Sequence, residues 1–214
     1  MMTLRIPRLA LVISVAILSM ALTPNAGLAV SAQAHTTASD PTHFIQTLAA
    51  KAIATLTDKT GTLNERESKF RIILHNEFAI KRIGRFVIGI HWRNMDRTQK
   101  NAYQKLFSQW ILKTYSSLLG GYSGQKFEVT KTSEAGKGDI IVHSRIRETK
   151  NDQAIICNWR VRKHKGRFKI IDIYVEGISM AVTQRSQFAA IIKKQGVTGL
   201  LKRMEKRLQQ LSSL

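Results

Sequence analysis

The 214 residues suffice for one domain with a sizeable core, and 34 Lys+Arg against 14 Asp+Glu give a net charge of +20 that favours anionic partners. The lone cysteine, Cys157, excludes an intramolecular disulfide, so the core alone must hold the fold.

In chain order, Arg5 and Arg8 precede an apolar run from Leu9 to Leu22, which is the order of a secretory leader and is short for a membrane-spanning helix. Ala32-Gln33-Ala34 then offers small residues where signal peptidase cuts, with Ala29 as the alternative. The expectation is a cleaved signal peptide over 1–34 and a single domain over 35–214 starting at His35, exported to the periplasm. Loss of Arg5 and Arg8 leaves a net charge of +18. Export removes nucleic acid as a partner and leaves an anionic membrane surface, an acidic partner face, or plain solubility.

Asp40-Pro41 offers a helix cap, and Ile45, Leu48, Ala49, Ala52 and Leu56 recur at helical spacing until Gly61. Thr62 and Glu65 have capping-box spacing, and Phe70, Ile73, Leu74 and Phe78 line one side of a second helix. Ile80 to Gly89 is expected as a brief kinked helix. Asp96 and Gln99 open a long helix with the apolar stripe Tyr103, Leu106, Phe107, Trp110, Ile111 and Leu118, closed by Gly120, Gly121 and Gly124.

The period then becomes alternating. Phe127 and Val129, then Ile140, Val142, Ser144 and Ile146, then Ile155, Cys157, Trp159 and Val161 predict three strands with one apolar face each. Phe168 to Val175 makes a fourth, and turns at Gly136-Lys137-Gly138, Asn151-Asp152 and Lys165-Gly166 join them as an antiparallel meander. After Gly177 the helical period returns, interrupted at Gly196, with Lys202, Arg203, Lys206 and Arg207 opposite an apolar stripe. The expected fold class is α+β: a twisted four-stranded antiparallel sheet with amphipathic helices packed on one face.

No catalytic or metal constellation emerges. No histidine stands at a zinc-site spacing from another histidine or acid, so no metal is expected. Cys157 lies on an apolar strand face as a buried thiol. Asp172 and Glu176 are spaced too far along a strand for a paired-carboxylate glycosidase, and Asp172 is expected to pair with Arg185 or another arginine.

Three segments together resemble the MlaC family, also called the toluene-tolerance Ttg2D family. They are Arg82-Ile83-Gly84-Arg85-Phe86-Val87-Ile88-Gly89 with Trp92; Gln99 to Tyr115 with Leu118 to Gly124; and Phe168 to Ser179 followed by Arg185-Ser186-Gln187-Phe188. One departure is Thr183-Gln184 before Arg185, where that family usually has an aromatic residue. The hopanoid-associated HpnM proteins share the domain. The resemblance implies a non-enzymatic periplasmic carrier with no cofactor and a bound phospholipid, or a hopanoid-like lipid, as cargo. Its implied partners are an inner-membrane ABC transporter complex and an outer-membrane complex, in a system that maintains outer-membrane lipid asymmetry. The 35–214 domain is then the lipid-binding one, with acyl chains between sheet and helices.

The residues expected to line that cavity come from four stretches: Phe78, Ile83, Phe86, Val87 and Trp92; Phe107, Trp110, Ile111 and Tyr115; Ile140, Val142, Ile155, Cys157 and Trp159; and Ile171 and Ile173. A carboxylate introduced at Val142 is accordingly expected to cost lipid occupancy rather than folding. The competing readings are an enzyme on a similar scaffold, for which the apolar strand faces supply only Ser144 and Cys157, and a basic adaptor without ligand.

Overall fold

Helix starts are fixed by short polar side chains that take up otherwise unpaired backbone N–H groups. In the computed structural model, which describes residues 40–58, 60–116, 124–147 and 154–212, Asp40 caps α1 (Pro41–Thr57) by accepting from Thr42 N at 2.9 Å and His43 N at 3.4 Å. Thr62 and Glu65 form a reciprocal capping box at the start of α2 (Leu63–Glu77). Asp96 Oδ1 accepts from Gln99 N at 2.7 Å, and Gln99 Oε1 from Asp96 N at 3.2 Å, just before α5 (Arg97–Ser116). The expected leader and its cleavage site, the glycines at 120 and 121, and the Asn151-Asp152 turn lie outside the described residues.

Between α2 and α5 the kinked helix of the sequence reading is two pieces, α3 (Ile80–Ile88) and a single turn α4 (His91–Asn94). Gly89 separates them at φ +61, a conformation that costs glycine little. A Cβ there would also lie 3.0 Å from Arg185 Nε. The first helix ends at Thr57, capped by Asp58, rather than running to Gly61.

Five strands, β1 (Lys126–Glu134), β2 (Asp139–Arg147), β3 (Ala154–His164), β4 (Arg167–Val175) and β5 (Ile178–Ser179), form an antiparallel sheet in sequence order. The expected four are therefore extended by β5, too short to show a period of two. Register follows the apolar sets: Ile140 faces Val161, Val142 faces Trp159, and Ser144 faces Cys157. Lys165 and Gly166 both have positive φ, as a tight two-residue hairpin requires. The last helix, α6 (Met180–Ser212), is broken at Gly196, where φ is +66 and ψ is +179.

The helices divide between two clusters. α1 covers the sheet, and Ile45 packs with Val142, Val161 and Ile170, all fully buried. A second cluster joins α3, α5 and α6 around Tyr103, Phe107, Trp110 and Phe188, whose rings stack at tilted and edge-to-face angles. Gly84 permits that approach: Tyr103 donates its hydroxyl to Gly84 O at 2.8 Å, and a Cβ on Gly84 would sit 2.8 Å from Phe107 Cδ1. At the α2–α3 junction Phe78 bridges to Ile170, and Ala79 N donates to Ile170 O at 2.9 Å. The junction thus covers part of an otherwise open β4 edge.

Candidate functional site

Two separate clusters in one small domain leave a seam, and an apolar cavity of about 250 Å³ lies along it. One wall belongs to the sheet cluster through Leu48, Ile73, Trp159 and Ile173; the other belongs to the helix cluster through Ile80, Ile83, Val87, Phe107 and Ile111. Phe78 packs against both. Tyr115, Met180, Ala181 and Gln184 complete the lining at the α5 and α6 side.

Half of the residues expected to line the cavity do so: Phe78, Ile83, Val87, Phe107, Ile111, Tyr115, Trp159 and Ile173. Val142 and Cys157 point to the same sheet face but are buried, 0% and 6% exposed, Val142 in the sheet cluster, and Ile140 packs against that cluster. Trp110 is consumed by its ring contacts with Phe107 and Phe188. Trp92 packs edge-on against Tyr103 and is flanked by Arg85 and Lys100. Phe86 and Ile155 are 43% and 37% exposed, Phe86 beneath the Arg185 guanidinium at 5.2 Å. Ile171 lines a different groove, described below.

Sequence reasoning left out Leu48, Ala49 and Ala52 on α1, and Phe70, Ile73 and Leu74 on α2. Their stripes were legible as amphipathic faces. What periodicity does not carry is which of several stripes faces the seam. Ala49 and Ala52 matter because two small side chains in one stripe leave volume unfilled beside Leu48.

Polar groups at the cavity are few, and most are spoken for. Trp159 donates its indole N–H to Ser144 Oγ at 3.0 Å, and Ser144 in turn donates to Cys157 O. This buried relay holds the indole against the wall. Among the described residues Asp172 does not pair with an arginine as expected. Its carboxylate accepts from Ile173 N at 2.8 Å, Ala181 N at 3.0 Å and Ser179 Oγ at 2.5 Å, so it anchors the N-terminus of α6, where a negative charge is favoured. Desolvation, and secondarily the Asp172 charge, raise the Tyr115 phenol above its ordinary value. The Gln184 amide nitrogen is buried without a partner. Burial pushes the Cys157 thiol up to about 12, which keeps it protonated and poorly nucleophilic. Among the described residues no group of three His, Cys, Asp or Glu is placed to hold a metal ion, and no helix is long and apolar enough to cross a membrane.

Among the described residues the one charged group at the cavity, Asp172, already has three donors, and apart from the Gln184 amide the remaining lining is almost wholly apolar. Such a surface suits hydrocarbon. It offers no base beside a nucleophile.

Comparison with known proteins agrees with that geometry. The model of the family described as MlaC protein matches residues 46–206. The intermembrane phospholipid transport system binding protein MlaC of Haemophilus influenzae is 23% identical over 177 residues, covering 79% of this chain and 83% of that protein. In fold, the chain is similar to a phospholipid-binding protein from Ralstonia solanacearum whose structure was solved in complex with a phospholipid. The TM-score is 0.71 at 23% identity, over 81% of this chain and 99% of the other.

Proposed function

The chain belongs to the MlaC family, and on that premise we propose that it is a periplasmic carrier that takes phospholipid acyl chains into the seam between sheet and helices. One observation carries the reading: a single small domain divides its core into two clusters and keeps an almost wholly apolar cavity between them. A packed core without a ligand would fill that space, because voids forfeit contact energy.

At about 250 Å³ the cavity falls just under the roughly 300–1,000 Å³ of ordinary small-ligand sites, so a diacyl lipid must part the seam on entry. The two clusters meet along the cavity mainly through side chains, with the Ala79 N to Ile170 O hydrogen bond joining them at the α2–α3 junction, which makes the seam the natural line of opening. Release into water would expose on the order of thirty methylenes at about 0.8 kcal/mol each. Transfer to a bilayer exchanges one apolar medium for another. Delivery therefore belongs at docked membrane complexes, an inner-membrane ABC transporter and an outer-membrane assembly, with the positive surface attracting anionic faces. In this reading residues 1–34 are the removed leader, residues 35–214 the lipid-binding domain, and the protein catalyses no reaction.

The test is organic extraction of protein purified from a periplasmic fraction, followed by mass spectrometry. About one equivalent of diacyl phospholipid supports the carrier; stoichiometric polycyclic terpenoid redirects it to hopanoids; an empty extract with an unchanged cavity overturns it.

A further inference from the structure

Behind the cavity, across Phe78 and Ile80 which line both spaces, lies a larger groove of about 720 Å³. It runs between the α2–α3 junction, α5, and the β3–β4 hairpin, and cationic side chains gather on it. Lys81, Arg82, Lys105, Arg162 and Lys169 converge on it with His75 and His164, and among the described residues no carboxylate lines it.

These charges are not a balanced surface. Arg162 is held by the Asp139 carboxylate, and Lys169 donates to Asn76 O. Lys81, Arg82 and Lys105 have no carboxylate within ion-pair distance among the described residues. Gathering like charges around one depression raises their mutual repulsion, which a bound anion would relieve. The backbone adds to the field: α3 starts at the groove without a side-chain cap or an acid in its first turn, so its open N–H groups and dipole also favour a negative ligand.

We propose that this groove is a binding site for a phosphate-bearing anion, held by Lys81, Arg82, Lys105 and Lys169. Phosphate chemistry fits because its oxygens accept several cationic donors at once. The volume exceeds what one inorganic phosphate needs and leaves room for a glycerol-sized substituent, while Phe78, Ile80 and Ile171 supply an apolar floor. Two sources share this chemistry: the headgroup of a lipid whose chains lie beyond Phe78, or a soluble phosphate ester. Only the first source rests on the carrier reading above.

The experiment compares the wild type with Lys81→Gln/Arg82→Gln/Lys105→Gln, three exposed positions, and with a control of equal charge loss on α6, Lys202→Gln/Arg203→Gln/Lys206→Gln. Inorganic phosphate and glycerol 3-phosphate are titrated calorimetrically at low salt, and uptake of phosphatidylglycerol and of diacylglycerol with the same chains is measured from vesicles. The groove variant should weaken binding of the soluble anions by about tenfold or more, since one charged hydrogen bond contributes about that factor, while the control binds as the wild type does. A parallel fall in phosphatidylglycerol uptake, with diacylglycerol uptake unchanged, assigns the anion to the headgroup. Unchanged uptake of both lipids assigns it to a soluble ester. No soluble-anion binding by the wild type, or equal weakening in groove and control variants, overturns the site. Failure of every protein to take up either lipid would instead strike at the carrier reading and leave the titration to decide the groove.

Discussion

Filling the cavity from one of its own small residues separates a ligand space from a packed core. Ala52 lies on the α1 stripe and lines the cavity beside Leu48 and Ala49. Ala52→Phe would place a phenyl ring in the seam, and burying a side chain of that size contributes roughly 1.5–3 kcal/mol. Helix propensity lost relative to alanine offsets roughly 0.5 kcal/mol of this. The net gain of about 1–2.5 kcal/mol should raise the melting temperature of delipidated protein by roughly 2–10 °C. The same ring occupies the space proposed for acyl chains, so lipid recovered by extraction should fall. Stability and occupancy thus move in opposite directions. A close-packed core responds otherwise: added atoms force strain of about 1–3 kcal/mol. A destabilised Ala52→Phe that retains its lipid would refute the cavity.

Val142→Glu should abolish cooperative folding, since Val142 is fully buried between α1 and β3 and an unpaired carboxylate there costs several kcal/mol; a normal thermal transition would move Val142 to the cavity wall. Native Cys157 should resist maleimide up to strongly alkaline pH and label fully in denaturant, because burial holds the thiol protonated up to about 12. For Asp139, burial pushes its carboxyl up, but hydrogen bonds from Arg162 and Arg160 outweigh this and hold it below the ordinary value. A folded-state pKa below the unfolded one stabilises above the unfolded carboxylate value near roughly 4 and is lost as pH falls through the folded one. Denaturant midpoints should therefore drop on acidification below about pH 4, and Asp139→Asn should flatten that slope while lowering stability at neutral pH. Ser144→Ala should lower the unfolding free energy by about 1–3 kcal/mol by leaving the Trp159 indole N–H unpaired; an unchanged midpoint would remove the relay from the account.

Local signals were the legible ones. The cap at Asp40, the capping box at Thr62 and Glu65 and the Asp96–Gln99 pair mark helix starts through contacts three residues apart, and the structure has all three. Strand alternation likewise gave the apolar sets that pair across β2 and β3. Alternation stops short of depth, however. Val142 and Trp159 are directly opposite neighbours on one face, yet the valine is sealed beneath α1 and the larger indole reaches the seam. Trp110 and Ile111 adjoin on α5, and the tryptophan turns to Phe188 while the isoleucine lines the cavity. Such differences depend on which helix arrives from far along the chain. Asp172 shows the same limit, for its partners Ser179 and Ala181 become neighbours only through β5, whose two residues carry no pattern.

In the carrier reading, acyl chains lie along the seam between the two clusters. Its most direct measurement is photo-crosslinking with a phospholipid carrying a diazirine near the end of one acyl chain, followed by peptide mapping of the adducts. Both walls should be labelled, at residues such as Leu48 and Trp159 on one side and Ile111 on the other. Adducts confined to exposed apolar side chains such as Ile72, Ile90 and Ile178 would show the lipid on the surface and contradict it.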